Sequence, residues 1–166
     1  MAAAERIEEA GQRSEAYRAV ALALAQAGQF EQALEVAQQI EDAWRRSEAY
    51  RAVAEALAQA GQIEQAQEAF QQALAAAERI ENAGWRSLAY RKVALALAQA
   101  GQIEQALAAA ERVEEADQRS EAYGAMALAL AQAGQIEQAQ EAFQQALAAA
   151  ERIENAYWRS DRKSVV

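Results

Sequence analysis

The 166-residue sequence has no cysteine, histidine, proline or threonine, and only seven glycines. Without cysteine there is no disulfide framework, thiolate metal site, iron–sulfur cluster or thiol nucleophile. Without histidine there is no Ser-His-Asp triad, no HExxH zinc site and no imidazole switching charge near neutral pH. No GxGxxG, P-loop or GxSxG string occurs. The acidic clusters Glu81, Glu114-Glu115-Asp117 and Glu151–Glu154 lack the tight oxygen-rich loop that calcium asks for, and read as solvated helix ends. No catalytic, cofactor-binding or metal-binding residue is expected, and no enzyme.

Positive charge is also scarce. There are 16 Lys and Arg against 25 Asp and Glu, a net charge of −9. Such a surface repels a phosphate backbone, so no nucleic acid is expected as a partner. No apolar run approaches the roughly 20 residues of a membrane span, so no membrane is expected either. The opening MAAAERIEEA has neither the basic nor the apolar region of a secretory leader. The expectation is a soluble protein of cytoplasmic type.

What is present is alanine, 49 residues, and glutamine, 22. Alanine is the best helix former, and the missing proline is the strongest helix breaker, at about 3 kcal/mol. β-branched residues are few, so a sheet is not expected. The composition reads as all-α.

The residues are also repeated. AQAGQ occurs at Ala25–Gln29, Ala58–Gln62, Ala98–Gln102 and Ala131–Gln135, with starts 33, 40 and 33 residues apart. An Arg-Ser pair leading to Ala-Tyr recurs at the same spacing, at Arg13–Tyr17, Arg46–Tyr50, Arg86–Tyr90 and Arg119–Tyr123. Ser14–Arg86 and Ser87–Arg159 match at 58 of 73 positions, and Ala58–Ala83 is identical to Ala131–Ala156. Four units follow: 14–46 (short), 47–86 (long), 87–119 (short) and 120–159 (long). Residues 1–13 parallel the end of a long unit and read as a half repeat; 160–166 read as a tail. Ser164-Val165-Val166 matches the pattern of PDZ-ligand tails, but three residues carry little information.

Each unit reads as two helices. Tyr17, Val20, Leu24 and Ala27 step by three, four and three, which is one face of a helix. Ser14 is expected as its N-cap and Gly28 as its C-terminal cap. Phe30, Ala33, Ala37 and Ile40 form the second stripe, extended in the long unit to Ile63, Ala66, Phe70, Ala73, Ala77 and Ile80. The extra seven residues add ~10.5 Å and turn the face by only ~20°, so the same stripe stays inward.

These residues resemble the tetratricopeptide repeat, a helix–turn–helix of about 34 residues. Tyr50, Val53, Ala54, Leu57, Gly61, Ala66, Phe70 and Ala73 fall on its signature places, and Tyr123 to Ala146 repeat them. The short units carry Ala37 and Ala110 where an aromatic is usual, and the family's proline is replaced by a turn near Trp44, Trp85 or Trp158. The resemblance implies a right-handed α-solenoid of helical hairpins whose first helices line a concave groove, here with alternating 33- and 40-residue units. Family members usually bind peptides or other proteins there and are rarely enzymes. Carried over, the groove places hold Arg18, Arg51 and Arg91, with Gly124 in the fourth unit. They also hold Leu22, Leu95 and Leu128, with Glu55 in the second unit, and Gln26, Gln59, Gln99 and Gln132. The lysine and asparagine clamp of the chaperone-binding members is absent, since the relevant place holds Ala19, Ala52, Lys92 and Ala125.

The arginines suit the carboxylates of a peptide, because guanidinium forks pair them well. The plainer reading is that each pairs with a glutamate of the groove, such as Glu15 or Glu48. The leucines suit a partner helix, or packing at repeat junctions. The tryptophans suit hot spots, or cover for the turns. Two functions are in view. One is a non-catalytic, engineered or consensus-like scaffold that self-associates through its end helices into a homo-oligomer. The other is an interaction module holding a protein or peptide in its groove.

Overall fold

The computed structural model describes residues 10–163, with side chains described as far as Ile153. Among these residues there are eight α-helices and no strand. They are α1 (Ala10–Gln26), α2 (Phe30–Gln38), α3 (Ala43–Gln59), α4 (Ile63–Glu78), α5 (Ala83–Gln99), α6 (Ile103–Glu111), α7 (Ala116–Gln132) and α8 (Ile136–Lys163). The chain divides into two compact units, one ending at Ala89 and the other starting at Tyr90, within α5.

The odd-numbered helices are 17 residues each. Helices α2 and α6 have nine residues and α4 has 16, so the extension of the long hairpin lies inside its second helix. The turn between paired helices is built the same way four times. Gly28 takes φ 72°, its amide donates to the Ala25 carbonyl at 3.1 Å, and the Gln29 amide donates to the Leu24 carbonyl at 2.9 Å. This pair of bonds is a Schellman cap, and the left-handed glycine allows it without a Cβ clash. Gly61, Gly101 and Gly134 repeat it at φ 75°, 76° and 76°.

In the first unit α1 packs on α2 and α3, α2 packs on α3, and α3 packs on α4. In the second unit α7 packs on α6 and α8. The first core is made of Ala33, Val36, Ala37, Tyr50, Val53, Leu57, Ala66, Phe70 and Ala73, all buried. Alanine lets the helix axes approach, and the large side chains fill the space between. Burying one of the latter is worth about 1.5–3 kcal/mol.

The expected N-cap is corrected. Ser14 lies within α1 and is buried, as Ser47 is within α3. The cap of α3 is Asp42, whose carboxylate accepts the Arg45 amide at 2.7 Å. Asn82 accepts the Trp85 amide at 3.0 Å at the start of α5. The serines serve packing: Ser47 Oγ donates to the Ala73 carbonyl at 2.9 Å, and Ser120 Oγ to the Ala146 carbonyl at 3.0 Å. Ile40 and Ile80, expected inside second helices, are buried in the turns that follow them. Residues 10–13 form the first turn of α1, so the half-repeat expectation concerns 1–9, outside the described residues, as is the 164–166 tail pattern.

The duplicated stretch ends differently in its two copies. Helix α4 stops at Glu78, and the chain turns through Arg79–Asn82. There Arg86 Nη1 donates to the carbonyls of Ile80 (2.7 Å) and Glu81 (3.1 Å). The equivalent residues 152–155 remain helical in α8. The flanking sequence differs first at Gly84, which is Tyr157 in the second copy. Glycine weakens a continuous helix by about 1 kcal/mol relative to alanine.

Candidate protein-binding surfaces

An open cleft of about 710 Å³ lies in the first unit, where α1, α3 and the start of α5 converge. Trp44 and Trp85 form one wall. Their rings meet edge to face, with centroids 5.1 Å apart and planes at 67°. The capped first turns of α3 and α5 bring them together although they sit at different places in their units. Trp85 is 55% exposed, so the pair offers aromatic surface to solvent.

The charged wall is organised around Glu15. Its carboxylate accepts Arg18 Nη2 at 2.5 Å and Arg45 Nε at 3.1 Å, which ties α1 to α3. The Arg18 hydrogen bond holds the Glu15 carboxyl below its usual range, partial desolvation opposes it, and Arg45 adds to it. Arg18 is correspondingly raised, chiefly by the Glu15 bond. Arg51 lies between Glu48 at 3.7 Å and Glu55 at 2.5 Å. In the second unit Arg91 pairs with Glu121 across to α7.

Each arginine of the expected row is thus paired with a glutamate. Arg51 and Arg91 nonetheless keep a buried Nε–H without an acceptor. Leu22 and Leu95 are half-buried, Leu128 is 55% exposed, and Gln26, Gln59, Gln99 and Gln132 are all exposed. Arg18, Leu22 and Gln26 share α1, beside Arg51 and Gln59 on the packed α3. Arg91, Leu95 and Gln99 lie on α5, and Leu128 and Gln132 on α7. The sequence offered the tryptophans singly, as hot spots or turn cover; the pairing of Trp44 with Trp85 into one wall and the part of Arg45 were not foreseen. The capping residues Asp42 and Asn82 ahead of each tryptophan were the available signal.

The tyrosines of the first helices are core residues. Burial raises the Tyr50 phenol against a lowering effect of Arg46. It raises Tyr123 as well, assisted by Glu111 and opposed by Arg119. Arg112 stacks over the Tyr90 ring at 4.5 Å, a cation–π contact. Among the described residues no cluster of three or more metal-ligating side chains occurs. None of the described helices is long and apolar enough to cross a membrane.

A second surface lies on α8. Phe143 is 45% exposed and Leu147 59%, with Ile153 at 40%. In the identical stretch of the first copy, Phe70 is fully buried and Ile80 is buried. Phe143 and Leu147 lie one turn apart on the same side of α8.

Repeated helical hairpins, glycine-capped turns and an alanine-rich core define a helical repeat scaffold. The chain belongs to the tetratricopeptide repeat family, whose models match residues 45–119 and 120–152. No curated protein matches the sequence significantly. Among solved structures, the Ton1535 crystal structure from Thermococcus onnurineus NA1 is similar, with a TM-score of 0.57 and 18% identity. The similarity covers 98% of this chain and 51% of that one, so this chain spans about half its length. At that identity the likeness concerns the fold.

Proposed function

We propose that this chain is a non-catalytic, consensus-like scaffold that self-associates through the exposed faces of its outer helices α1 and α8. One observation carries the reading: the same 26 residues bury Phe70 completely and leave Phe143 45% exposed. An apolar stripe of this kind on a water-facing helix marks an interaction surface. The exact duplication supports an engineered or consensus-like origin, since drift would have scattered differences along the two copies. The expected setting is the cytoplasm. Static light scattering across a concentration series tests self-association. The mass is expected to rise above 18.0 kDa, and a constant monomer mass up to high concentration defeats the reading.

A second reading is favoured by the Trp44–Trp85 cleft: a peptide or helix held in the groove. An aromatic wall beside arginines suits a segment carrying both apolar and acidic side chains. Pull-down with the parent chain and with an Arg18, Arg51 and Arg91 to Ala triple variant tests it. Equal capture by both assigns the row to structure alone.

A further inference from the structure

We infer that the occupant of the α8 stripe is helix α1 of a second copy, docked head to tail in the register of the chain's own repeat junctions. This rests on the self-association reading and specifies its geometry. The chain shows twice what covers a second helix: α2 packs on α3, and α6 packs on α7. In each case the cover is a first helix. Helix α8 is a long second helix, and inside this chain a long second helix, α4, is followed in sequence by α5. Helix α1 matches α5 at 14 of 17 positions, differing only at Gln12, Glu15 and Ala19, which are Trp85, Leu88 and Lys92 in α5.

The exposures of α1 complement those of α8. Ala23 is exposed and Ala16, Val20 and Leu24 are half-buried. Their counterparts Ala89, Val93, Ala96 and Leu97 are all buried. So one helix lacks cover on the face its twin buries, and the other lacks cover on the face its duplicate buries. A junction of the kind that α2 makes with α3 and α6 with α7 would satisfy both. Because the two faces differ, the contact is heterologous. It leaves one free face of each kind on every dimer, and the assembly grows until it closes into a ring or continues as a filament.

The test uses two variants of the full chain. One carries Phe143→Glu and Leu147→Glu, closing the α8 face. The other carries Ala23→Glu, closing the α1 face at an exposed position. Far-UV circular dichroism verifies that both fold; Leu147→Glu alone, at an exposed site, serves if the double change does not. Each variant alone is expected to stay at 18.0 kDa. Their equimolar mixture is expected to give a species of two chains and nothing larger. The midpoint concentration for association of either variant with itself should rise at least about tenfold over the parent. A dimer of the Ala23→Glu variant alone would mean a two-fold α8 pairing. A dimer of the α8 variant alone would mean α1 pairing. Either overturns the head-to-tail register while leaving self-association intact. A monomeric mixture from an associating parent overturns the register too. A parent that never associates defeats both readings.

Discussion

At the scale of single residues, the helical hairpins tolerate one costly choice and gain from a network of small ones. Gly124 sits inside α7, and an added Cβ there meets nothing within 4 Å. Glycine in a helix interior costs backbone entropy without a packing return. Gly124→Ala is expected to stabilise the fold by about 0.5–1 kcal/mol, read from urea denaturation midpoints. Glu15 is a network residue. Its folded pKa lies below the ordinary 4.5 because Arg18 and Arg45 favour the carboxylate. A depressed carboxyl binds its proton less readily when folded than when unfolded. Its stabilisation is therefore present above pH 4.5 and lost as pH falls through the folded value. Glu15→Gln should cost under about 1 kcal/mol at neutral pH, as exposed pairs do, and the gap to the parent should close on acidification. Thermal melts across the acid range measure that gap. A gap that stays constant with pH would assign the cost to something other than the ion pairs.

At the scale of elements, the duplicated stretch separates sequence from context. Phe70 and Phe143 have identical neighbours in sequence for more than ten residues on each side. Phe70 is fully buried and Phe143 45% exposed. Phe70→Ala opens a cavity in a closed core and is expected to cost about 3–5 kcal/mol. Phe143→Ala removes a half-solvated ring and is expected to cost well under half as much in the dilute monomer. Denaturant unfolding of the two variants decides it, and equal losses would mean that the α8 face is closed in solution. The same comparison explains what was legible in the sequence. The stripes Tyr50-Val53-Leu57 and Ala66-Phe70-Ala73 were legible because a helix buries one face at fixed steps. The AQAGQ turn was legible because only a left-handed residue closes a Schellman cap. The start of the first helices was misread at Ser14 and its counterparts, because a serine before an apolar stripe has the chemistry of a cap. Asp42 and Asn82 hold that role, and the serine hydroxyls bond across the hairpin, which no local pattern encodes. The Trp44–Trp85 wall depends on two helix starts converging, so one-dimensional spacing could not supply it. The Arg18–Glu15 and Arg51–Glu48 pairs were legible from their three-residue spacing on one helix, whereas Arg45 and Glu121 reach the row from other hairpins, which spacing along the chain does not encode.

At the scale of the whole molecule, charge and apolar surface act against each other. Every copy carries a net charge of −9, so two copies approaching one another repel through solvent. The surfaces proposed to meet, Phe143 and Leu147 on one side and Val20, Ala23 and Leu24 on the other, are apolar and contribute no attraction that salt screens. Raising ionic strength should therefore strengthen association. At about 0.15 M the Debye length is ~8 Å, and charges spread over the rest of the surface are largely hidden from the second copy. Sedimentation equilibrium at low and near-physiological salt measures this, with the dissociation constant expected to fall by roughly tenfold or less. An interface built on arginine–glutamate exchange between copies would respond in the opposite direction, because screening would weaken it. The sign of the salt effect therefore tells apolar junction packing from charge pairing without altering a residue. It also sets a limit on the groove reading. An acidic peptide bound by Arg18, Arg51 and Arg91 would have to overcome the same net charge, and would bind best where the screening of that repulsion exceeds the screening of its own ion pairs.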